Sequence, residues 1–119
     1  MHSILLVDDD PEILAAWGAI LVDEGYEVRF ARNGVEALDA VKLGRPDVIV
    51  TDWMMPLMDG AELCRRLKAQ PDLANVPILV HSAAPPPTDG LQVWTAWLPK
   101  PVNARLFLTT VAQLCKHSS

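Results

Sequence analysis

Cysteine is too scarce and too dispersed in this chain to build anything. Cys64 and Cys115 are the only two, far apart and each inside a segment that reads as helix. They are expected to be free, buried thiols of a cytoplasmic protein rather than a disulfide or metal site. Histidine is nearly as sparse: His2, His81 and His117 share no ligand spacing. His81 sits beside Ser82, but neighbouring residues of a strand face opposite sides of a sheet, which argues against a catalytic pair. No run of lysine or arginine exists, and the net charge is −5, so direct nucleic-acid binding is not expected. No apolar stretch is long enough to span a bilayer. Met1-His2-Ser3 leads directly into a predicted strand, leaving no room for a secretory leader. What remains is 119 residues, 50% of them hydrophobic, expected to form one globular domain over 1–119 with no second domain and no disulfide or metal staples.

Apolar runs and breakers alternate along the chain. Residues 4–7 (Ile-Leu-Leu-Val) and 48–51 (Val-Ile-Val-Thr) are short apolar runs bounded by turn signals, the pattern of buried parallel strands. Asp10-Pro11-Glu12 reads as an N-cap, a first-position proline and an early acid; the helix that follows carries Ile13, Leu14, Trp17, Ile20 and Leu21 and stops at Gly25. Residues 27–31 alternate as a strand. Asn33-Gly34 starts a short helix with Val35, Leu38 and Val41 as its apolar face, ended by Gly44. Met55-Pro56 and Asp59-Gly60 mark a loop before a helix over 61–69, stopped ahead of Pro71. Residues 78–81 form another strand. The last helix spans about 104–115, capped by Asn103, with Leu106, Phe107, Val111 and Leu114 as contacts. Alternating strands and helices predict a doubly wound α/β sheet with right-handed crossovers.

Between Ser82 and Lys100 this rhythm fails. Ala83-Ala84-Pro85-Pro86-Pro87 cannot be helix interior, because proline lacks the amide donor and clashes with the preceding turn. Thr88-Asp89-Gly90 extends the loop, and 91–96 is under two helical turns. The segment 83–96 is therefore expected to hold a shortened or irregular helix, with Trp97-Leu98 in a fifth strand. Trp94 and Trp97 either pack against that segment or leave an apolar patch suited to a partner.

Acids gather where chemistry is expected. Asp8, Asp9 and Asp10 close the first strand and Asp52 closes 48–51, and the carboxyl ends of parallel strands are where open α/β sheets bind ligands. Asp10 reads as a helix cap. Were the two strands neighbours, Asp8, Asp9 and Asp52 would share one pocket. At 4 Å and an effective dielectric near 20, each pair repels by about 4 kcal/mol, which favours protonation or a divalent cation. Ser82 and Lys100 end two further strands. Three acids, a hydroxyl and an ammonium suit phosphoryl transfer to a carboxylate: two acids hold Mg²⁺, the third attacks phosphorus, and the other two groups bind phosphoryl oxygens.

These residues resemble the receiver domain of two-component response regulators over nearly the whole chain. The marks are Asp8-Asp9-Asp10 after Leu5-Leu6-Val7, the string from Thr51-Asp52 through Met55-Pro56 to Met58-Asp59-Gly60, His81-Ser82-Ala83, and Pro99-Lys100-Pro101. The resemblance implies a flavodoxin-like, five-stranded parallel sheet in the order 2-1-3-4-5. It implies Asp52 as phosphoacceptor, Asp9 as a direct Mg²⁺ ligand, Asp8 acting mainly through metal-bound water, and the Met54 backbone carbonyl as a further ligand. Ser82 matches the switch hydroxyl, Lys100 the phosphoryl-pairing lysine, and Trp97 the aromatic switch position, where the family usually has tyrosine or phenylalanine. Lys100-Pro101 is a cis candidate. Met54, Met55 and Met58 read as loop and core packing.

The implied partners are a histidine kinase or histidine phosphotransfer protein and an output protein of unknown identity, with no membrane and no nucleic acid, the chain being a monomer or weak dimer. The implied activity is not that of an enzyme beyond the domain's own phosphorylation and dephosphorylation. The shortened 83–96 segment raises an alternative, a receiver-like binding module that works without phosphorylation. A haloacid-dehalogenase-like phosphatase would also use an aspartyl nucleophile, but it carries a second aspartate two residues on, where this chain has Met54.

Overall fold

A computed structural model describes residues 1–88, 90 and 92–116 of the chain. Five strands, β1 (Ser3–Val7), β2 (Glu27–Ala31), β3 (Val48–Thr51), β4 (Ile78–Ser82) and β5 (Ala96–Pro99), form one parallel sheet in the order β2-β1-β3-β4-β5. Four helices connect or follow them: α1 (Pro11–Asp23), α2 (Gly34–Leu43), α3 (Gly60–Lys68) and α4 (Ala104–Lys116). Period-two alternation splits the core. Leu5, Val7, Ile49, Ile78 and Val80 face α2 and α3, meeting Ala37, Val41, Leu63 and Leu67. Ile4, Leu6, Val48, Val50 and Leu79 face α1 and α4, meeting Leu14, Leu21, Phe107 and Val111. Both faces of the sheet are covered, which is why its strands read as continuous apolar runs.

The helix starts follow their caps. Oδ1 of Asp10 accepts the Glu12 amide at 2.9 Å, Oδ1 of Asn33 that of Glu36 at 2.9 Å, Oδ1 of Asp59 that of Glu62 at 2.9 Å, and Oδ1 of Asn103 that of Leu106 at 2.8 Å. After α1 the chain leaves through Gly25, at φ 95°, a left-handed conformation that glycine adopts at no steric cost. Cys64 and Cys115 are both buried, and neither is in a disulfide.

Two apolar faces differ from the sequence reading. Val35 and Leu106 are each 45% exposed. Residues spaced by three drift about 60° around a helix at each step, so Val35 lies well off the stripe of Gly34, Ala37 and Val41 that is buried in α2. Leu106 precedes Phe107, which begins the buried stripe of α4, and is turned about 100° away from it. Between β4 and β5 the described residues contain no helix, in keeping with the three prolines. Among the described residues, no helix is long and apolar enough to cross a membrane.

Candidate active site

Sheet register brings the acids together. Val7 and Thr51 are paired partners on β1 and β3, so Asp8 and Asp52 emerge side by side. The Asp52 amide donates to the Val7 carbonyl at 2.9 Å and the Asp8 amide to the Ala31 carbonyl at 3.0 Å, fixing both backbones. Asp8 is 2% and Asp52 8% exposed, while Asp9 is exposed. One carboxylate oxygen from each of the three lies within 4.8 Å of the others.

Lys100 enters from β5. Ser82 and Pro99 pair across β4 and β5, and the Lys100 amide donates to the Ser82 carbonyl at 2.9 Å. From there Nζ donates to Oδ2 of Asp8 at 3.0 Å and lies 3.3 Å from Oδ2 of Asp52. Burial pulls the Lys100 ammonium down, yet its hydrogen bonds and charge pairing with the two aspartates outweigh this and hold its pKa above the usual lysine value. Asp8 is pushed above the usual carboxylate value by burial, which outweighs the Asp10 amide and Lys100, and Asp52 adds repulsion. Three acids against one ammonium leave excess negative charge on a cluster of hard oxygen donors. Such a donor set fits a small divalent cation such as Mg²⁺.

The other expected residues are placed less centrally. Ser82 is buried, and its Oγ accepts the Ala84 amide at 3.1 Å, closing its own turn. Met54 is 67% exposed, unlike Met55 and Met58, which pack on the α2–α3 side of the core. Trp97 is half-buried; its indole Nε1 donates to the Ala84 carbonyl at 3.2 Å. The Lys100-Pro101 peptide is cis, as expected. His81 packs in a cluster with Trp17 and Phe107, at ring separations of 5.5 and 6.1 Å. Its Nε2 is buried without a hydrogen-bond partner. Burial, reinforced by the Lys100 charge, pushes its pKa down to about 4, against a smaller upward pull from Asp52.

Three contributors escaped the sequence reading. Thr51 is fully buried and its hydroxyl donates to the Asp52 carbonyl at 2.8 Å. The Trp53 amide donates to Oδ1 of Asp52 at 2.7 Å, while its ring meets Trp97 and Trp94 at centroid distances of 5.1 and 5.5 Å. Gly60 lies so close to this loop that a Cβ there would fall 2.7 Å from the Asp52 carbonyl oxygen and 2.8 Å from Trp53 Cα. The Asp59-Gly60 pair was visible as a turn signal, but its close approach to the Asp52-Trp53 backbone at the other end of the same loop was not.

Comparison with known proteins agrees with this geometry. Residues 4–111 match the response regulator receiver domain family. Response regulator MprA of Mycobacterium sp. strain KMS is 38% identical over 120 residues, covering 98% of this chain and 51% of the relative. The chain thus spans about half the length of the curated relatives it matches. Among solved structures, the chemotaxis response regulator CheY4 of Vibrio cholerae superposes with a TM-score of 0.89 at 36% identity, covering 96% of this chain and 98% of that one. The receiver domain of the sensor histidine kinase PA1611 from Pseudomonas aeruginosa PAO1 gives a TM-score of 0.87 at 26% identity, with 97% and 98% coverage; that structure has a magnesium ion coordinated in the active-site cleft.

Proposed function

We propose, from the premise that this chain belongs to the response regulator receiver domain family, that it is a Mg²⁺-dependent phosphoacceptor switch with Asp52 as the acceptor. The observation that carries the reading is the convergence of three carboxylates and Lys100 at the carboxyl ends of three strands. The donor is a phosphohistidine on a kinase or phosphotransfer protein in the cytoplasm. Oδ1 of Asp52 is held by the Trp53 amide, which leaves Oδ2, on the Lys100 side, as the attacking oxygen. The new O–P bond forms as the P–N bond to imidazole breaks, and the imidazole nitrogen keeps the electron pair. No general base is required, because an ionised carboxylate is already the nucleophile.

Asp8, Asp9, Asp52 and the Met54 carbonyl would hold the metal. When bound, Mg²⁺ supplies positive charge that offsets the oxygens of the transferred group. Lys100 moves from its pairing with Asp8 and Asp52 to a phosphoryl oxygen. Ser82 gives up its turn contact with Ala84 to donate to another, and Trp97, anchored to the Ala84 carbonyl, feels that change. The acyl phosphate then biases a two-state equilibrium read by an output protein. Phosphoryl incorporation from a small-molecule donor, compared between the native chain and Asp52→Ala, tests the assignment.

A further inference from the structure

A cavity of about 330 Å³ lies between α1 and the residues that follow β5. Ile13 and Trp17 of α1, His81 of β4, and Lys100, Pro101 and Val102 line it. We propose that this cavity binds a small neutral aromatic molecule bearing one hydroxyl group, a phenol, which hydrogen-bonds to Nε2 of His81.

His81 sets the polar half of that chemistry. It is 4% exposed, and its Nε2 finds no hydrogen-bond partner among the described residues. Buried polar atoms are nearly always partnered, and an orphan carries the cost of its lost water. The neighbouring rings of Trp17 and Phe107, at 5.5 and 6.1 Å, pack against the imidazole without supplying that bond. A single water would need two to four polar partners. Of the lining side chains, Lys100 is already committed to Asp8 and Asp52 at 3.0 and 3.3 Å, and Ile13, Pro101 and Val102 have no polar atom. The imidazole is neutral near pH 7, burial and the Lys100 charge holding its pKa down at about 4. One nitrogen of a neutral imidazole donates and the other accepts. A hydroxyl, being donor and acceptor at once, suits Nε2 in either tautomer.

Size and charge set the apolar half. The volume is at the small end of the range for small-molecule sites, and a cavity of about 150 Å³ already holds benzene, so one substituted ring fits. Trp17 gives that ring an aromatic neighbour. A charged ligand gains nothing, because the lining cation is paired and the rest of the wall is mostly apolar.

The cavity shares a residue with the acid site. Lys100 lines it, and the ammonium of the same side chain offsets Asp8 and Asp52. A ligand that packs on Lys100 therefore biases where the ammonium goes when Asp52 is phosphorylated, and phosphorylation biases ligand binding by the same free energy. Only this link rests on the phosphoacceptor reading; the binding itself does not.

The test titrates the full, unphosphorylated chain with phenol and, separately, with toluene, in which a methyl replaces the hydroxyl. The Nε2 resonance of His81 and the indole N–H resonance of Trp17 report binding. In a purely apolar cavity toluene binds better, because a hydroxyl is the costlier group to take out of water. Here phenol is expected to shift both resonances saturably and to bind about three- to tenfold tighter than toluene, the scale of one net hydrogen bond. His81→Leu should reverse that order while toluene still shifts Trp17. Ile13→Trp, which fills the cavity from α1, should remove binding of both. No saturable shift overturns the site, and toluene binding as tightly as phenol overturns the role of His81. Unchanged phenol binding in Ile13→Trp overturns the cavity as its seat. None of these readouts needs phosphoryl transfer, so failure here and failure of the receiver reading are distinguishable. An unchanged rate of phosphoryl incorporation under saturating phenol overturns the link through Lys100.

Discussion

Lys100 holds its ammonium 3.0 Å from Oδ2 of Asp8 and 3.3 Å from Oδ2 of Asp52, so a single cation at the end of β5 offsets two buried acids on other strands. The pair is not primarily a stabilising device. Asp8 stays above the usual carboxylate value despite the lysine, because burial outweighs it. The site is thus short of positive charge and arranged to gain more.

Removing the lysine should expose that shortage. Lys100→Met leaves Asp8 and Asp52 facing each other with no counterion. Truncating one partner of a buried pair costs about 3–5 kcal/mol, reduced here to about 1–3 kcal/mol because Lys100 is 19% exposed. Urea unfolding at neutral pH measures this loss, and adding Mg²⁺ should recover most of it.

The metal should act as a folding ligand even without phosphorylation. Mg²⁺ is expected to raise the Tm of the native chain by mass action. Asp9 is exposed, so Asp9→Asn should leave metal-free stability within about 0.5 kcal/mol while removing most of the Mg²⁺-dependent rise. Thermal scans with and without chelator separate the two effects.

Gly60 has no room for a side chain. In Gly60→Ala the Cβ would meet the Asp52 carbonyl and Trp53 Cα, both backbone atoms that cannot swing aside. A cost of about 1–3 kcal/mol follows from forced displacement. The Asp52 loop must move with it, so the rate of phosphoryl incorporation should fall more than global stability suggests.

His81 should leave a signature in the pH profile. The unfolded chain binds a proton on this ring near 6.5, the folded chain only near 4. Between those values the unfolded state holds more protons, so stability falls as pH drops through that window, by up to about 3 kcal/mol. Asp8, raised in the fold, works in the opposite direction. The comparison with His81→Leu isolates the histidine: the variant should lose this slope and unfold later near the acid end.

Much of this was legible in residue order. The strands, the caps Asp10 and Asn103 and the Asp8, Asp9, Asp52 and Lys100 set follow from local chemistry, because each carboxylate or ammonium of the set stands within two residues of a strand's carboxyl end. The prolines, by removing amide donors, announced the irregular 83–96 segment, which has no helix among its described residues. What sequence periodicity hid was angular: it placed Val35 and Leu106 on apolar faces that a 100° turn per residue carries into solvent. It also hid distance. Trp97 meets Trp53 because Val80 of β4 pairs with both Thr51 and Trp97, which sets Trp97 level with the end of β3, and the unpartnered Nε2 of His81 depends on Trp17 and Phe107 from two helices packing over it.

The central claim is that Asp52 accepts a phosphoryl group in this site. Intact mass after incubation with Mg²⁺ and acetyl phosphate, quenched in acid at several times, tests it most directly. The account predicts one added phosphoryl group on the native chain and none on Asp52→Ala. Equal labelling of the variant, or no added mass on the native chain at any time even with a phosphohistidine donor, would contradict it.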